Sequence, residues 1–130
     1  PERLAKLANR YPHIRLIANP DNEQMDNLIR QSHICILPTF QDTGLKLKLL
    51  ASLFSGRYCI ANSQMVHKTG LEHLCHVADS PNEMIALINE LFGKSFPEEE
   101  IEKRRLILDD TFSNRQNALR ILRIIEELKA

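Results

Sequence analysis

Short apolar runs that alternate with helical patterns constrain the fold of this 130-residue chain most strongly. Ile34–Leu37 is an unbroken apolar run, as is typical of parallel strands that are covered on both faces. Tyr58–Ala61 predicts a second strand, and residues 14–17 and 74–77 predict two more. Because helical patterns separate these runs, the strands must pair in parallel through crossover connections. The sequence therefore predicts an α/β fold with an open parallel sheet of three or four strands, helices on both faces and a helical C-terminus.

Capping signals and apolar spacing predict where the helices begin and end. Ser80-Pro81-Asn82-Glu83 combines an N-cap serine, a proline at the first helical position and a glutamate three residues after the cap. Either Asp21 or Asn22 can cap the helix that precedes Ile34. The predicted helices are residues 2–9, a helix after Asn22, residues 45–55, a helix from Pro81 to Gly93, residues 97–109 and a last helix after Ser113, with a loop at residues 62–70.

The charge balance argues against two classes of partner. Seventeen basic residues equal seventeen acidic ones and form no long basic stripe, so the overall field favours neither nucleic acid nor an anionic membrane. No apolar run approaches the roughly 18 to 20 residues that span a bilayer, so the sequence predicts no transmembrane segment. A composition with 43% hydrophobic residues fits one compact domain. Because the chain starts at Pro1 without a signal-peptide pattern, we expect a piece of a longer cytoplasmic protein.

The cysteines and histidines give no metal-binding signature. Cys35, Cys59 and Cys75 are odd in number and far apart in sequence, which disfavours zinc. They lie in or near apolar segments, so we expect small buried residues in a reducing compartment. His73 and His76 have the spacing of one helix face, but no nearby residue completes a zinc site. The sequence therefore predicts no bound metal.

The segment between Leu37 and Leu50 has the chemistry of an anion site. It leads from a predicted buried strand through a polar turn to a helix that starts after Gly44. The first turn of a helix has unpaired N–H groups and partial positive charge, which attract phosphate, and Lys46 and Lys48 add full charge. The lack of a Cβ at Gly44 lets a ligand approach the backbone. The alternative is an ordinary strand-to-helix turn, in which the glycine only permits a tight bend.

From Gly44 to Arg57, the sequence GLKLKLLASLFSGR resembles the donor-binding segment of retaining glycosyltransferases with the GT-B fold. The preceding apolar strand with Pro38-Thr39 and the helix at Ser80-Pro81 also have counterparts in that family, so the resemblance covers nearly the whole chain. It implies that residues 1–130 are part of a C-terminal donor-binding domain, the Rossmann-like half of a GT-B fold. The N-terminal acceptor domain and the first strand region would lie upstream of Pro1.

The resemblance also implies a set of donor-binding positions: Thr43, Gly44, Leu45, Lys48 and Ala51. Backbone N–H groups near Gly44 and Leu45 would hold the diphosphate, and Lys48 stands at the place of the motif lysine. The family carries two glutamates that contact the sugar and the ribose, and these places hold Thr43 and Ala51 here. Alanine cannot accept a hydrogen bond from a ribose hydroxyl. Asp42 and Thr43 remain candidates for the sugar contact, although Asp42 is better explained as a turn or helix-capping residue.

The function implied by the resemblance is transfer of a hexose-type sugar from a UDP- or GDP-sugar to a glycan or lipid-linked acceptor, as in polysaccharide biosynthesis. No further cofactor is implied, and this piece alone would be inactive. The resemblance also implies that the full-length protein lies in the cytoplasm. It leaves open whether that protein attaches peripherally to the inner face of the membrane. The alternative is a noncatalytic α/β module that docks a partner, either a degenerate glycosyltransferase or a receiver-like domain. A receiver needs an aspartate at the end of a strand, whereas Leu37 and Ala61 are followed by Pro38 and Asn62.

Overall fold

A computed structural model describes residues 2–41 and 46–129, which form an α/β structure around a three-stranded parallel sheet. The strands are β1 (Ile34–Leu37), β2 (Tyr58–Ala61) and β3 (His76–Val77), in the spatial order β1-β2-β3. Cys35 pairs with Cys59, and Ile60 pairs with His76. The predicted parallel sheet is confirmed with three strands, and β1 and β2 have the predicted bounds.

Two strand predictions need correction. Residues 14–17 form no strand, and the side chains of Ile14, Leu16 and Ile17 are 41%, 50% and 44% exposed. An extended segment becomes a strand only when a neighbour takes its backbone hydrogen bonds, and no described segment does so here. The strand predicted at residues 74–77 is reduced to His76–Val77, because Glu72–Leu74 forms a 3₁₀ turn.

Seven α-helices lie in the described ranges. Helices α2 and α5 begin at capping boxes, in which Asp21 pairs with Gln24 and Ser80 with Glu83, as their sequences predicted. The predicted loop at 62–70 was wrong in part, because its first residues form a single helical turn. The helices are α1 (Glu2–Arg10), α2 (Asn22–Gln31), α3 (Leu47–Ser55), α4 (Ser63–Val66), α5 (Pro81–Phe92), α6 (Glu98–Phe112) and α7 (Asn114–Lys129).

Helices cover both faces of the sheet, as predicted. On one face, Cys59 and Ala61 pack against a fully buried cluster that includes Leu49 and Leu53 of α3 and Leu108 of α6. On the other face, Ile60 packs against Ala78, Leu91 and the apolar side of α5. Because side chains alternate between the faces of a strand, the unbroken apolar run of β2 supplies both layers.

Gly56, which ends α3, is required by close packing. A Cβ built at this position would lie 2.6 Å from the carbonyl oxygen of Ser52 and 3.3 Å from the Cys35 thiol. Only glycine lets the chain turn from α3 into β2 at this distance, and the turn fixes how α3 lies over the sheet.

The C-terminal part of the chain is helical, as predicted. Helix α6 packs on α3, and α7 packs on α6, where Arg120 donates a hydrogen bond to the carbonyl of Asp110. No helix in the described ranges is both long and apolar enough to cross a membrane.

Candidate ligand site at the carboxyl ends of the strands

The three strands end together at one edge of the sheet. Leu37 pairs with Ala61, and Ala61 pairs with Val77, so the chain leaves all three strands at the same level. In open α/β sheets, ligands bind beyond this carboxyl edge, which is where the sequence predicts the anion site.

Asn62 links the ends of β1 and β2. Its side-chain oxygen accepts a hydrogen bond from the backbone N–H of Thr39 at 3.0 Å, and its side-chain nitrogen donates to the Thr39 carbonyl at 2.7 Å. Both residues are only 8% exposed, so water does not compete strongly for these groups. The amide thereby fixes the start of the segment that leads from β1 to α3.

Asp79 links the ends of β2 and β3. One carboxylate oxygen accepts from the backbone N–H of Ser63 at 2.7 Å and the other from the Ser63 hydroxyl at 2.6 Å. The Ser63 hydroxyl and backbone N–H lower the pKa of Asp79, because both donate to its charged form. The Glu83 carboxylate accepts from the N–H groups of Asp79 and Ser80, both at 2.9 Å, and these bonds lower the pKa of Glu83. Hydrogen bonds therefore connect all three strand ends.

The segment after β1 exposes an aromatic side chain. The Thr39 hydroxyl accepts a hydrogen bond from the backbone N–H of Gln41 at 3.3 Å, on either side of Phe40. Phe40 is 90% exposed and lies beside the position where the predicted site begins. A flat apolar surface there can stack against a planar ligand group.

The predicted donor-binding residues are only partly described. Asp42, Thr43, Gly44 and Leu45 lie outside the described residues, so their predicted roles stay predictions. Lys48 and Ala51 lie on α3, where both are exposed and, being three residues apart, share one side of the helix. At Ala51 this surface offers a methyl group and no carboxylate.

The start of α3 differs from its prediction. The helix begins at Leu47 instead of Leu45, because the backbone of Lys46 is extended and its carbonyl accepts hydrogen bonds from the amides of Leu49 and Leu50. Lys46, as the N-cap residue, makes no side-chain cap, and the first turn carries no acidic residue. The positive end of the helix dipole is therefore not offset by an acidic side chain within that first turn.

The links made by Asn62 and Asp79 were not predicted from the sequence. The available signal is a polar residue soon after each apolar run: Thr39 after β1, Asn62 after β2 and Asp79 after β3. Since parallel strands end at one edge, such residues are candidates to contact one another. Which residue bonds to which depends on the sheet register.

Within the described residues, no group of three or more His, Cys, Asp or Glu side chains is arranged to hold a metal ion. No protein-family model matches the chain, and comparisons with curated proteins and with solved structures found no match either.

Proposed function

We propose that this chain is the nucleotide-sugar-binding part of a glycosyltransferase that transfers a hexose-type sugar to a glycan or glycoconjugate acceptor. One observation carries the proposal: the β1-to-α3 segment leaves the carboxyl edge of a parallel sheet, and Asn62 fixes its start through Thr39. The residues at that junction also resemble the donor-binding segment of GT-B enzymes, apart from the two glutamate positions. The fold would then be the Rossmann-like half of a GT-B structure.

The chemistry expected of the site is recognition of a diphosphate. Backbone N–H groups at the start of α3 and the charge of Lys48 would stabilise the negative charge that develops on the nucleoside diphosphate as it leaves. In the expected reaction, an acceptor hydroxyl attacks the anomeric carbon of the sugar. The acceptor itself would be bound by a separate N-terminal domain. Residues 1–130 alone are therefore expected to bind a donor weakly and not to transfer sugar.

A second function is favoured by the exposed methyl group of Ala51. At the place where the family positions a ribose-binding glutamate, this chain has no hydrogen-bonding side chain. A degenerate glycosyltransferase that docks a partner and binds no donor would have the same surface. The two functions predict different responses to nucleotides.

We would test the proposal by following backbone amide chemical shifts during titration with UDP, GDP and ADP. Donor binding predicts shifts centred on residues 44–48 and on Thr39 and Asn62, saturating in the millimolar range. Replacing Lys48 by Ala is expected to weaken binding about 2- to 5-fold, as for one exposed ion pair to phosphate.

Lys6→Ala is the matched control, because Lys6 is exposed on α1, far from α3 in sequence. It should leave nucleotide affinity unchanged. No response to any of the three nucleotides at about 10 mM, a Kd equivalent to only about −2.7 kcal/mol, would refute donor binding and favour the partner-docking function. Equal weakening by Lys6→Ala would show that binding is nonspecific.

A further inference from the structure

A row of three cysteines crosses the sheet on one face. Cys35 of β1 pairs with Cys59 of β2. Cys75 directly precedes His76, which pairs with Ile60, so Cys75 lies opposite Cys59 on its other side. The three cysteines were expected to be small buried residues, and the sheet register brings them together. Cys35 and Cys59 are buried as expected, and Cys75 is partly exposed.

The thiols in this row do not have equal surroundings. The thiols of Cys59 and Cys75 act chiefly on each other's pKa, whereas burial and Ser52 of α3 act on that of Cys35. Adjacent strands lie about 4.8 Å apart, which is within the Cα separation of roughly 4.4 to 6.8 Å that a disulfide requires. Cys59 and Cys75 are therefore placed to form a disulfide.

A buried arginine lies beside this pair. Arg104 of α6 is only 5% exposed, and its guanidinium donates hydrogen bonds to the backbone carbonyls of Gly56 and Arg57. The guanidinium carbon lies 5.5 Å from the centre of the Phe96 ring, and Nε has no hydrogen-bond partner in the described structure. No carboxylate of the described residues forms a salt bridge with Arg104. A buried cation without a counter-ion favours ionisation of nearby acidic groups, and the thiols are such groups.

We propose that Cys59 and Cys75 form a redox-sensitive dithiol, which a hydroperoxide converts to a disulfide and a thiol reductant converts back by thiol–disulfide exchange. Cys75 is the attacking thiolate, because it is the partly exposed member of the pair. Cys59 is the resolving thiol. Arg104 stabilises the thiolate by its charge.

The proposed chemistry has two steps. The Cys75 thiolate attacks one oxygen of the hydroperoxide, the O–O bond breaks, and the leaving alkoxide or hydroxide takes a proton from water, leaving a sulfenic acid. The Cys59 sulfur then attacks the Cys75 sulfur, the S–O bond breaks, and the departing hydroxide combines with the Cys59 proton to form water. The dithiol thereby loses two electrons, which reduce the hydroperoxide to an alcohol or water.

The electrostatics agree with these roles. Interaction with the Cys59 thiol lowers the pKa of Cys75, and Arg104 lowers it further, against burial and the negative charge of Glu72. The same interaction raises the pKa of Cys59, which keeps its proton for the second step. A cavity of about 260 Å³ is lined in part by Cys59, Arg104 and the two chain neighbours of Cys75, Leu74 and His76, and it is large enough for a small hydroperoxide.

The cysteine pair is separate from the candidate ligand site. Cys59 is the second residue of β2, and Cys75 precedes β3, so both lie toward the amino ends of the strands. The inference therefore does not depend on the proposed function.

The test is to treat the purified protein with hydrogen peroxide, alkylate it in denaturant and map its tryptic peptides. Trypsin places the three cysteines on different peptides: Cys35 on residues 31–46, Cys59 on residues 58–68 and Cys75 on residues 69–94. We expect peptide 58–68 linked to 69–94, released by dithiothreitol. The same link should form in Cys35→Ser, and Cys59→Ser should instead give a dimedone adduct on Cys75. Protein oxidised in guanidinium should give all three pairings.

A link to peptide 31–46, or three alkylated thiols after oxidation, would overturn the proposal. The role of Arg104 has its own test: replacing it by Gln should slow oxidation of Cys75 about 10-fold, equivalent to one pKa unit, whereas Arg104→Lys should slow it less. Alkylation of Cys35 under native conditions identifies a variant that has lost its fold. If Cys75 is oxidised at the same rate in Arg104→Gln and Arg104→Lys, and Cys35 is still protected from alkylation, the charge of Arg104 has no effect on the reaction.

Discussion

Replacing Asn62 by Ala should cost more stability than any ordinary surface substitution. The change removes one acceptor and one donor, and it leaves the N–H and the carbonyl of Thr39 without partners. Thr39 is 8% exposed, so these groups are poorly placed to bond to water instead. Each buried unsatisfied polar group costs about 1 to 3 kcal/mol, so we expect a loss of about 2 to 4 kcal/mol.

For a chain of this size, that loss corresponds to a fall in Tm of roughly 7 to 15 °C. The measurement is urea unfolding followed by circular dichroism, with the free energy compared between variants at constant slope. Asn89→Ala is the matched control, because Asn89 is exposed on α5. Asn62→Asp should cost at least as much as Asn62→Ala, because it buries a carboxylate whose second oxygen faces the Thr39 carbonyl.

A loss below about 1 kcal/mol for Asn62→Ala, or one equal to that of Asn89→Ala, would refute the reasoning. It would mean that water replaces the amide and that the link between β1 and β2 does not fix the segment. The proposed ligand site would then lack its main support, because Thr39 begins the path to α3.

Two further predictions concern packing and pH. Gly56→Ala should destabilise the protein by about 1 to 3 kcal/mol, because its Cβ would lie 2.6 Å from the Ser52 carbonyl. Gly93→Ala is the control and should not destabilise the protein, because a Cβ at Gly93 meets nothing within 4 Å. Similar unfolding midpoints for the two variants would contradict the prediction. Ser63 lowers the pKa of Asp79 below its ordinary value of 3.8. The charged carboxylate therefore stabilises the folded protein fully above pH 3.8, and this contribution is lost as the pH falls through the lowered pKa. The difference in unfolding free energy between wild type and Asp79→Asn should therefore shrink in acid. A difference that stays constant from about pH 6 to about pH 2, the range over which such a carboxyl titrates, would contradict this prediction.

Local chemistry made much of the fold predictable. The bounds of β1 and β2 follow from unbroken apolar runs that end at polar residues, and the start of α5 follows from its capping box. These features depend on residues within a few positions of one another. Predictions failed where a distant partner decides the structure. Residues 14–17 are apolar enough for a strand, but no described strand lies beside them to take their hydrogen bonds.

Periodicity and the order of apolar runs encode the α/β class, the parallel pairing and the edge of the sheet where a ligand is expected. Which side chains meet depends instead on the folded chain. Asn62 reaches Thr39, and Asp79 reaches Ser63, only because the register aligns the strand ends. The same register places Cys75 beside Cys59, which stands sixteen positions earlier in the chain. Contacts between distant residues depend on how the strands align, and no short stretch of sequence contains that information.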